Sequence, residues 1–308
     1  MMIVYLSEYI DPAARAKLAE KVQIVDNFDA IEQIDAILLR GITVDAALMD
    51  RAKNLKLIAK HGVGVNNIDL DAAKKRGIMV TNTPGANGDS VAELVVALIL
   101  ASARRLHETE TAIQGGKITR IAPPELRGNE VGGKVLGQLG IGNIGARVAH
   151  ILKNGFGMKV IAYDPWAPEA LFEKYQVERA TKLEDVLSAT DIINISFGLT
   201  EATKNLIHGK LFNLMKKDAI LINAARGGIV NEQDLYDALK NKVIKAAACD
   251  AFVEEPPCKE HPLFTLPNFI GTPHLGADTE EALQKVGQMV VDEVLRVADG
   301  KAPLHRVV

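Results

Sequence analysis

The sequence predicts an α/β protein built from two doubly wound parallel-sheet units, and three observations carry that reading. Short β-branched runs alternate with amphipathic stretches along most of the 308 residues, as in successive βαβ units. The rhythm breaks once, in a Gly- and Pro-rich stretch over 114–133, and then restarts. A length of 308 residues also suits two domains of roughly 150 residues each.

In the first half, Ile3–Leu6, Val22–Val25, Ala36–Leu39, Leu57–Ala59 and Ile78–Val80 read as strands, with helices such as Ala13–Glu20, Ala46–Lys53 and Leu70–Arg76 between them. A long helix follows from about Asp89 to His107. Asp89 or Ser90 can cap it, Glu93 stands at the capping-box spacing from Ser90, and Leu94, Ala97, Leu98 and Ala101 form an apolar face. After the break, strands are expected at Val135–Leu139, Lys159–Tyr163, Ile192–Ile195, Ala219–Ile222, Ala246–Cys249 and Phe269–Ile270. A last amphipathic helix, Thr279–Val297, carries Leu283, Val286, Val290 and Val294 on one side. Where the tail from Gly300 to Val308 packs cannot be read from periodicity.

Composition excludes several classes of function. Lys and Arg total 36 against 39 Asp and Glu, a net charge of −3, and aromatics are 5% of residues. Neither a basic stripe nor a set of base-stacking platforms is present, so no nucleic-acid partner is expected. The longest apolar run, Leu94–Ala103, is about half the roughly 20 residues needed to cross a bilayer, and the first residues lack a basic leader, so no membrane partner is expected. Cys249 and Cys258 match neither a disulfide framework nor a metal-ligand spacing. A cytoplasmic protein with reduced thiols and no metal is the expectation.

The strongest local motif is Gly140-Ile141-Gly142-Asn143-Ile144-Gly145, between a candidate strand and a candidate helix starting near Ala146. In that context the glycines allow a tight turn and a close approach to a pyrophosphate at a helix N-terminus. Asp164 ends the next strand 19 residues after Gly145, the place of an acid that binds the ribose hydroxyls and disfavours a 2′-phosphate. The cofactor expected is therefore NAD. Gln138, inside the strand that leads to the glycines, is a polar residue at a position usually covered on both sides, and the sequence alone offers no account of it.

Three segments then place polar residues at strand ends: Asn223–Gly228, Cys249–Pro256 and Thr272–Ala277. Ligands of open parallel sheets bind beyond such carboxyl ends. An Arg can hold a carboxylate by two parallel bonds, and a His beside a carboxylate can exchange a hydroxyl proton near neutrality. Arg226, Glu255 and His274 thus fit the oxidation of a 2-hydroxy acid. Taken singly, each also reads as a surface charge or a satisfied core residue.

The Gly140–Gly145 loop with Asp164, the stretch Asn223–Val230, the stretch Asp250–Pro256 and the pair Pro273-His274 together resemble the D-isomer-specific 2-hydroxyacid dehydrogenase family over nearly the full length. The resemblance implies a Rossmann-type NAD domain inserted into a flavodoxin-like substrate domain. Expected boundaries are 1–100 for the first part of the substrate domain, 101–280 for the NAD domain, and 281–308 for the returning helix and tail. It implies Arg226 on the substrate's carboxylate and carbonyl, His274 as acid/base, Glu255 as its partner and Asp250 on the nicotinamide carboxamide. Cofactor contacts are expected at Gly140, Gly142, Asn143, Ile144, Gly145, Asp164, Ser196, Thr200, Ala224, Asp250 and Gly276.

The stretch His61–Asp69 is similar to the family's substrate loop, with backbone N–H groups of Val63 and Gly64 on the carboxylate, while His61 is taken as structural. Asn66 and Asn231 each replace a more frequent Asp, and Asn231 is expected to cap a helix. Gly198 replaces a usual Pro and is expected to loosen the adenine-side loop around Ser196–Thr200. The branch resembled most oxidises 3-phosphoglycerate, and Arg40 and Lys60 are the expected cations for the phosphate. No C-terminal regulatory module is expected within 308 residues. Two alternatives stay open: a reductase of another small 2-oxo acid (glyoxylate, hydroxypyruvate or a sulfonated analogue) and a dinucleotide-sensing, corepressor-like binding protein. A homodimer through the helix from Ser90 to His107 and the segment to about residue 130 is a further family-level expectation.

Overall fold

The computed structural model describes residues 1–308 and divides into two units. Unit 1 comprises residues 1–87 and 277–308, and unit 2 is the continuous stretch 88–276. The chain begins in unit 1 with β1 (Ile3–Leu6), α1 (Pro12–Ala19), β2 (Gln23–Val25), β3 (Ala36–Leu39), α2 (Ala46–Arg51), β4 (Leu57–Lys60), α3 (Leu70–Lys75) and β5 (Met79–Thr81). Unit 2 runs from α4 (Gly88–Ala103) and α5 (Leu106–Gln114) to β6 (Val135–Leu139), α6 (Asn143–Phe156), β7 (Lys159–Tyr163), α7 (Glu169–Tyr175) and β8 (Glu178–Arg179). It continues with α8 (Leu183–Ala189), β9 (Ile192–Ile195), β10 (Ile220–Asn223), α9 (Glu232–Lys240), β11 (Ala246–Cys249) and β12 (Phe269–Gly271). The chain then returns to unit 1 as α10 (Glu280–Ala298).

Both sheets have only parallel strand pairs. Unit 1 has the order β2-β1-β3-β4-β5, the flavodoxin-like arrangement. Unit 2 has β12-β11-β10-β9-β6-β7-β8, the Rossmann order with a seventh strand at the far edge. Its strand order reverses between β6 and β9, so the glycine turn that follows β6 lies at the switch point, where such sheets bind ligands.

Helix starts follow local chemistry. Asp11, Asp45, Asp69, Asn231 and Thr279 each accept a backbone N–H of the first turn from the N-cap position. Three of the four residues expected on the inner face of α10, Val286, Val290 and Val294, are buried, each contributing about 1.5–3 kcal/mol. The fourth, Leu283, is only half-buried. Gly287 lets α10 press on α1, because a Cβ there would lie 3.1 Å from Cβ atoms of Ala14 and Asp11.

The long helix departs from the reading. It starts at Gly88, so Asp89 and Ser90 fall in its first turn, and Asp89 pairs with Arg147 at 2.8 Å. It ends at Ala103, and α5 begins after Arg105 turns into the left-handed region (φ 55°). The buried stripe is Val91, Val95, Leu98, Ile99 and Ser102, whereas Ala97 is exposed and Leu94 half-exposed. A helix apolar almost all round gives periodicity no means to choose the face. The unit boundaries fall at 87/88 and 276/277 rather than 100/101 and 280/281, because α4 packs on α6, β10 and β11 of unit 2.

The tail forms an antiparallel edge on β5. Val307 donates its N–H to the Val80 carbonyl at 2.7 Å, and Val80 donates to Val308 at 3.2 Å. Glu293, 1% exposed on α10, accepts the Leu304 N–H at 2.8 Å and faces Nδ1 of His305 at 2.8 Å. No helix is long and apolar enough to cross a membrane.

Candidate active site

The glycine loop has the shape a dinucleotide needs. Gly140 sits at φ +91°, and a Cβ on Gly145 would stand 2.0 Å from the Gly140 carbonyl oxygen. Gly142, by contrast, has open space where its Cβ would be, and it is the N-cap of α6, where no side chain caps the helix. The N-terminal N–H groups of Asn143, Ile144 and Gly145 are thus presented with the positive end of the helix dipole. Asp164 is brought against this loop, accepting the Ile141 N–H at 3.0 Å and the N–H groups of Trp166 and Ala167 at 3.1 and 3.2 Å. These residues fit an NAD dinucleotide.

Gln138 now has a physical account. Its amide donates to the Gly140 carbonyl at 2.9 Å and to Ser196 Oγ at 3.1 Å, and its oxygen accepts from Asn194 at 2.9 Å. Gln138 and Asn194 are register partners on β6 and β9, so this buried bridge ties the glycine turn to the adjacent strand end at the switch point. Ser196 serves this network, and Thr200 donates its N–H to Thr203 Oγ1 at 2.8 Å. The buried Thr203 hydroxyl also donates to the Gly198 carbonyl at 2.7 Å, a tie on the loop that the missing Pro had suggested would be loose.

Three strand ends converge further along the sheet of unit 2. After β10, Asn223 accepts the Ala225 N–H at 3.2 Å and donates to the Arg226 carbonyl at 2.9 Å, which folds the turn that carries Ala224 and Arg226. After β12, His274 stands in the left-handed region (φ 58°), an unfavourable conformation for this residue. Its turn is held by Asp250, which directly follows β11: one carboxylate oxygen accepts from Thr272 Oγ1 at 2.6 Å and Leu275 N–H at 2.7 Å, the other from Gly276 N–H at 2.8 Å. Asp250 is 1% exposed, so in this structure its carboxylate shapes the His274 turn.

His274 Nδ1 lies 3.0 and 2.9 Å from the two oxygens of Glu255, and Glu255 also accepts the Phe252 N–H at 3.1 Å. With Nδ1 on the carboxylate, Nε2 is the nitrogen left for proton exchange with a ligand. Burial pushes Glu255 up, but the hydrogen bond and charge of His274, the Phe252 N–H and the charge of Arg226 outweigh it and hold the carboxyl below the ordinary range. Burial draws the Arg226 guanidinium down from its ordinary value, and Glu255 opposes that. The group is a carboxylate flanked by an imidazole and a guanidinium, able to support a positive ring during proton transfer.

Unit 1 uses its strand-end polar groups differently. Arg40 pairs with Asp278 at 2.8 Å. Lys60 is buried and donates to the Arg40 carbonyl and to Asn67 Oδ1, the latter at 2.9 Å. Glu8 accepts the N–H groups of Arg40, Gly41 and Ile42 at 2.8, 2.7 and 3.2 Å. The loop carrying Val63 and Gly64 is anchored by Asn82, which donates to the Val63 carbonyl at 2.8 Å, and by Thr83, bonded to Gly62. His61 is buried, and desolvation, followed by the charges of Arg40 and Lys60, lowers its pKa to about 4, so the ring is neutral. Sequence reasoning passed over Gln138's partners, Glu8, and the Glu232–His261 pair that abuts the Glu255 segment. The only signal for these is polarity at positions next to strand ends.

The family model described as "D-isomer specific 2-hydroxyacid dehydrogenase, NAD binding domain" matches residues 96–276. The D-3-phosphoglycerate dehydrogenase of Methanocaldococcus jannaschii is 41% identical over 274 residues, 89% of this chain and 51% of that protein. The chain spans about half the length of the first such curated relatives. The hydroxypyruvate reductase of Thermotoga maritima is 40% identical, covering 86% of this chain and 85% of that protein. Among solved structures, the TT0316 protein of Thermus thermophilus superposes with a TM-score of 0.92 at 32% identity, covering the whole of both chains. D-lactate dehydrogenase with NAD+ from Lactobacillus jensenii gives 0.81 at 29%, again over the whole of both chains. Family model, relatives and superposition agree on one assignment: the chain belongs to the D-isomer specific 2-hydroxyacid dehydrogenase family.

Proposed function

We propose that this chain is an NAD-dependent dehydrogenase of D-2-hydroxy acids. The observation that carries the reading is the Glu255–His274 pair, at 2.9 Å, in the same row of strand ends as Arg226 and the glycine loop. NAD, when bound, supplies the acceptor for the substrate's hydride. Gly140, Gly142, Asn143, Ile144 and Gly145 receive the pyrophosphate, Asp164 the ribose, and Ser196, Thr200 and Ala224 line the remainder. Asp250 and Gly276 back the nicotinamide end. Arg226 grips the carboxylate and carbonyl oxygen. His274 Nε2 takes the hydroxyl proton, and Glu255 stabilises the imidazolium that forms. In the reducing direction the same proton returns to the carbonyl oxygen.

The finer reading is 3-phosphoglycerate as substrate, with Arg40 and Lys60 toward the phosphate, supported by likeness to relatives named for that activity. A second reading, reduction of an unphosphorylated 2-oxo acid, draws support from unit 1, where Arg40 is paired with Asp278 and Lys60 is buried among hydrogen-bond acceptors. Likeness to a relative named hydroxypyruvate reductase points the same way. NADH consumption with phosphohydroxypyruvate, hydroxypyruvate and glyoxylate decides between them. NADH binding without turnover on any of these acids would favour the dinucleotide-sensing alternative. Asp164→Ala should weaken NADH binding about tenfold and reduce the preference over NADPH. A wild-type preference for NADPH would overturn the cofactor assignment.

A homodimer accompanies this reading. Ala97 is exposed on α4, and Leu106, Ile113 and Ile121 are 55%, 62% and 98% exposed, a run of apolar surface suited to a second copy. Light scattering at micromolar concentration tests it. A cytoplasmic location is part of the proposal, since the free thiols of Cys249 and Cys258 suit a reducing compartment.

A further inference from the structure

Glu232 opens α9, immediately after the Asn231 cap. One of its carboxylate oxygens accepts the Val253 N–H at 2.7 Å, and the other faces Nε2 of His261 at 3.2 Å. Nδ1 of that ring accepts the Leu263 N–H at 3.4 Å, so Nε2 carries the proton and donates to Glu232. The ring is wedged among aromatics, 5.5 Å from Phe252 and 5.6 Å from Phe264, centroid to centroid. Glu232 is therefore fixed from both sides.

The two segments it joins are those of the proposed catalytic groups. Six residues before it in sequence is Arg226, and two residues after Val253 is Glu255. The Val253 N–H belongs to the same short segment as the Phe252 N–H, which bonds Glu255 Oε1. The segments also touch at Gly227, where a Cβ would lie 1.9 Å from the Phe252 carbonyl oxygen, so backbone meets backbone there. That contact sets how close the segments come, and Glu232 sets how the 252–253 backbone is turned.

We propose that Glu232, anchored by His261, is a positioning residue that aims Glu255 at His274 relative to Arg226. This rests on the dehydrogenase reading above. An acid in the first turn of a helix also favours the helix dipole, which would stabilise α9 without touching turnover. The two roles separate by experiment.

Turnover of the full chain with NADH and glyoxylate or phosphohydroxypyruvate, together with the NADH dissociation constant by fluorescence, would be measured for Glu232→Ala, Glu232→Gln, Glu255→Gln and the double variant Glu232→Ala/Glu255→Gln. Small displacements of reacting groups cost up to about a hundredfold, so Glu232→Ala should lower kcat roughly tenfold with NADH affinity unchanged within about twofold. Glu232→Gln, which keeps an oxygen for Val253, should recover activity to within about threefold of wild type. In the Glu255→Gln background the Glu232→Ala loss should vanish, because residues that act through one another are not additive. Equal losses in both backgrounds, or wild-type turnover in Glu232→Ala, would overturn the proposal. Wild-type turnover in Glu255→Gln alone would instead overturn the dehydrogenase reading. Should Glu232→Ala not fold, His261→Phe keeps a ring in the aromatic cluster and removes only the hydrogen bond. A loss confined to the Glu255 background supports the proposal, and an unchanged kcat overturns it.

Discussion

The two units carry the same residue types to opposite ends. Unit 2 leaves a carboxylate–histidine pair open: the side chains of His274 and Glu255 are 44% and 38% exposed, on a turn strained at the histidine itself. Unit 1 has a pair of the same chemistry, His305 with Glu293, but there the carboxylate is 2% exposed and its second oxygen is taken by the Leu304 N–H. Arg40 and Lys60 likewise face acceptors of their own unit. A polar pair with solvent access and a backbone held in an unfavourable conformation is open to a ligand. A pair whose carboxylate is sealed and fully bonded holds the chain together.

The sharpest way to break this contrast is His274→Asn. Loss of a general acid–base group is worth about 10²–10⁴-fold, so kcat should fall in that range while the melting temperature holds. Wild-type turnover would remove the pair from the chemistry. His305→Ala should do the reverse. It leaves one oxygen of a buried carboxylate without a partner, costing about 1–3 kcal/mol, and should lower the melting temperature by several degrees with kcat unchanged. A loss of turnover without loss of stability would erase the distinction drawn between the pairs.

Glu255→Gln sharpens it through pH. Glu255 titrates below its ordinary value of 4.5, so its ionised form stabilises the fold above that value, and the contribution fades as pH falls through the lower folded-state value. The gap in melting temperature between wild type and Glu255→Gln should therefore be widest near neutrality and close in acid, a comparison that calorimetry from pH 7 to pH 3 can make. A constant gap would mean that the carboxylate is not held by its charged neighbours. The smallest effect is expected at Arg40. Arg40→Ala should raise KM for phosphohydroxypyruvate several-fold more than for glyoxylate if the guanidinium leaves Asp278 for the substrate, since exposed ion pairs are worth only about 0–1 kcal/mol. Equal KM changes would keep Arg40 in its ion pair and favour the unphosphorylated acids.

Much of this was legible in advance because the signals were local. Parallel strands buried on both faces read as continuous apolar runs, and eleven of the twelve strands were found within a residue at each end. The glycine turn, Asp164 and the strand-end positions of Arg226, Glu255 and His274 follow from chain order alone, because a parallel sheet brings every carboxyl end to one side. The short elements α7, β8 and α8 escaped notice, since segments of two to seven residues show little periodicity. The buried face of α4 was misjudged because that helix is apolar almost all round. The partners of Gln138 across the sheet, and those of Asp250 and Glu232, lie 21 to 58 residues away, and no spacing rule reaches them. The helix cap at Asn231 is the opposite case: its hydrogen bond spans three residues, and it was anticipated.

The return of α10 to unit 1 has a consequence for how the chain acquires its fold. The surface formed by Val4, Leu18, Leu57 and Ala59 is completed by Val290, Val291 and Val294, and the edge of β5 by residues 306–308. All of residues 88–276 separate the two parts in sequence. At about 5–20 residues per second of synthesis, the first five strands wait roughly ten to forty seconds for the helix that covers them. Unit 2, being continuous, can assemble during that interval, whereas unit 1 presents bare apolar surface and an unpaired strand edge until residues 280–308 emerge. Folding order is thus written into the connectivity: the inserted unit matures first, and a chain truncated before α10 would yield one finished unit attached to a sheet prone to aggregation.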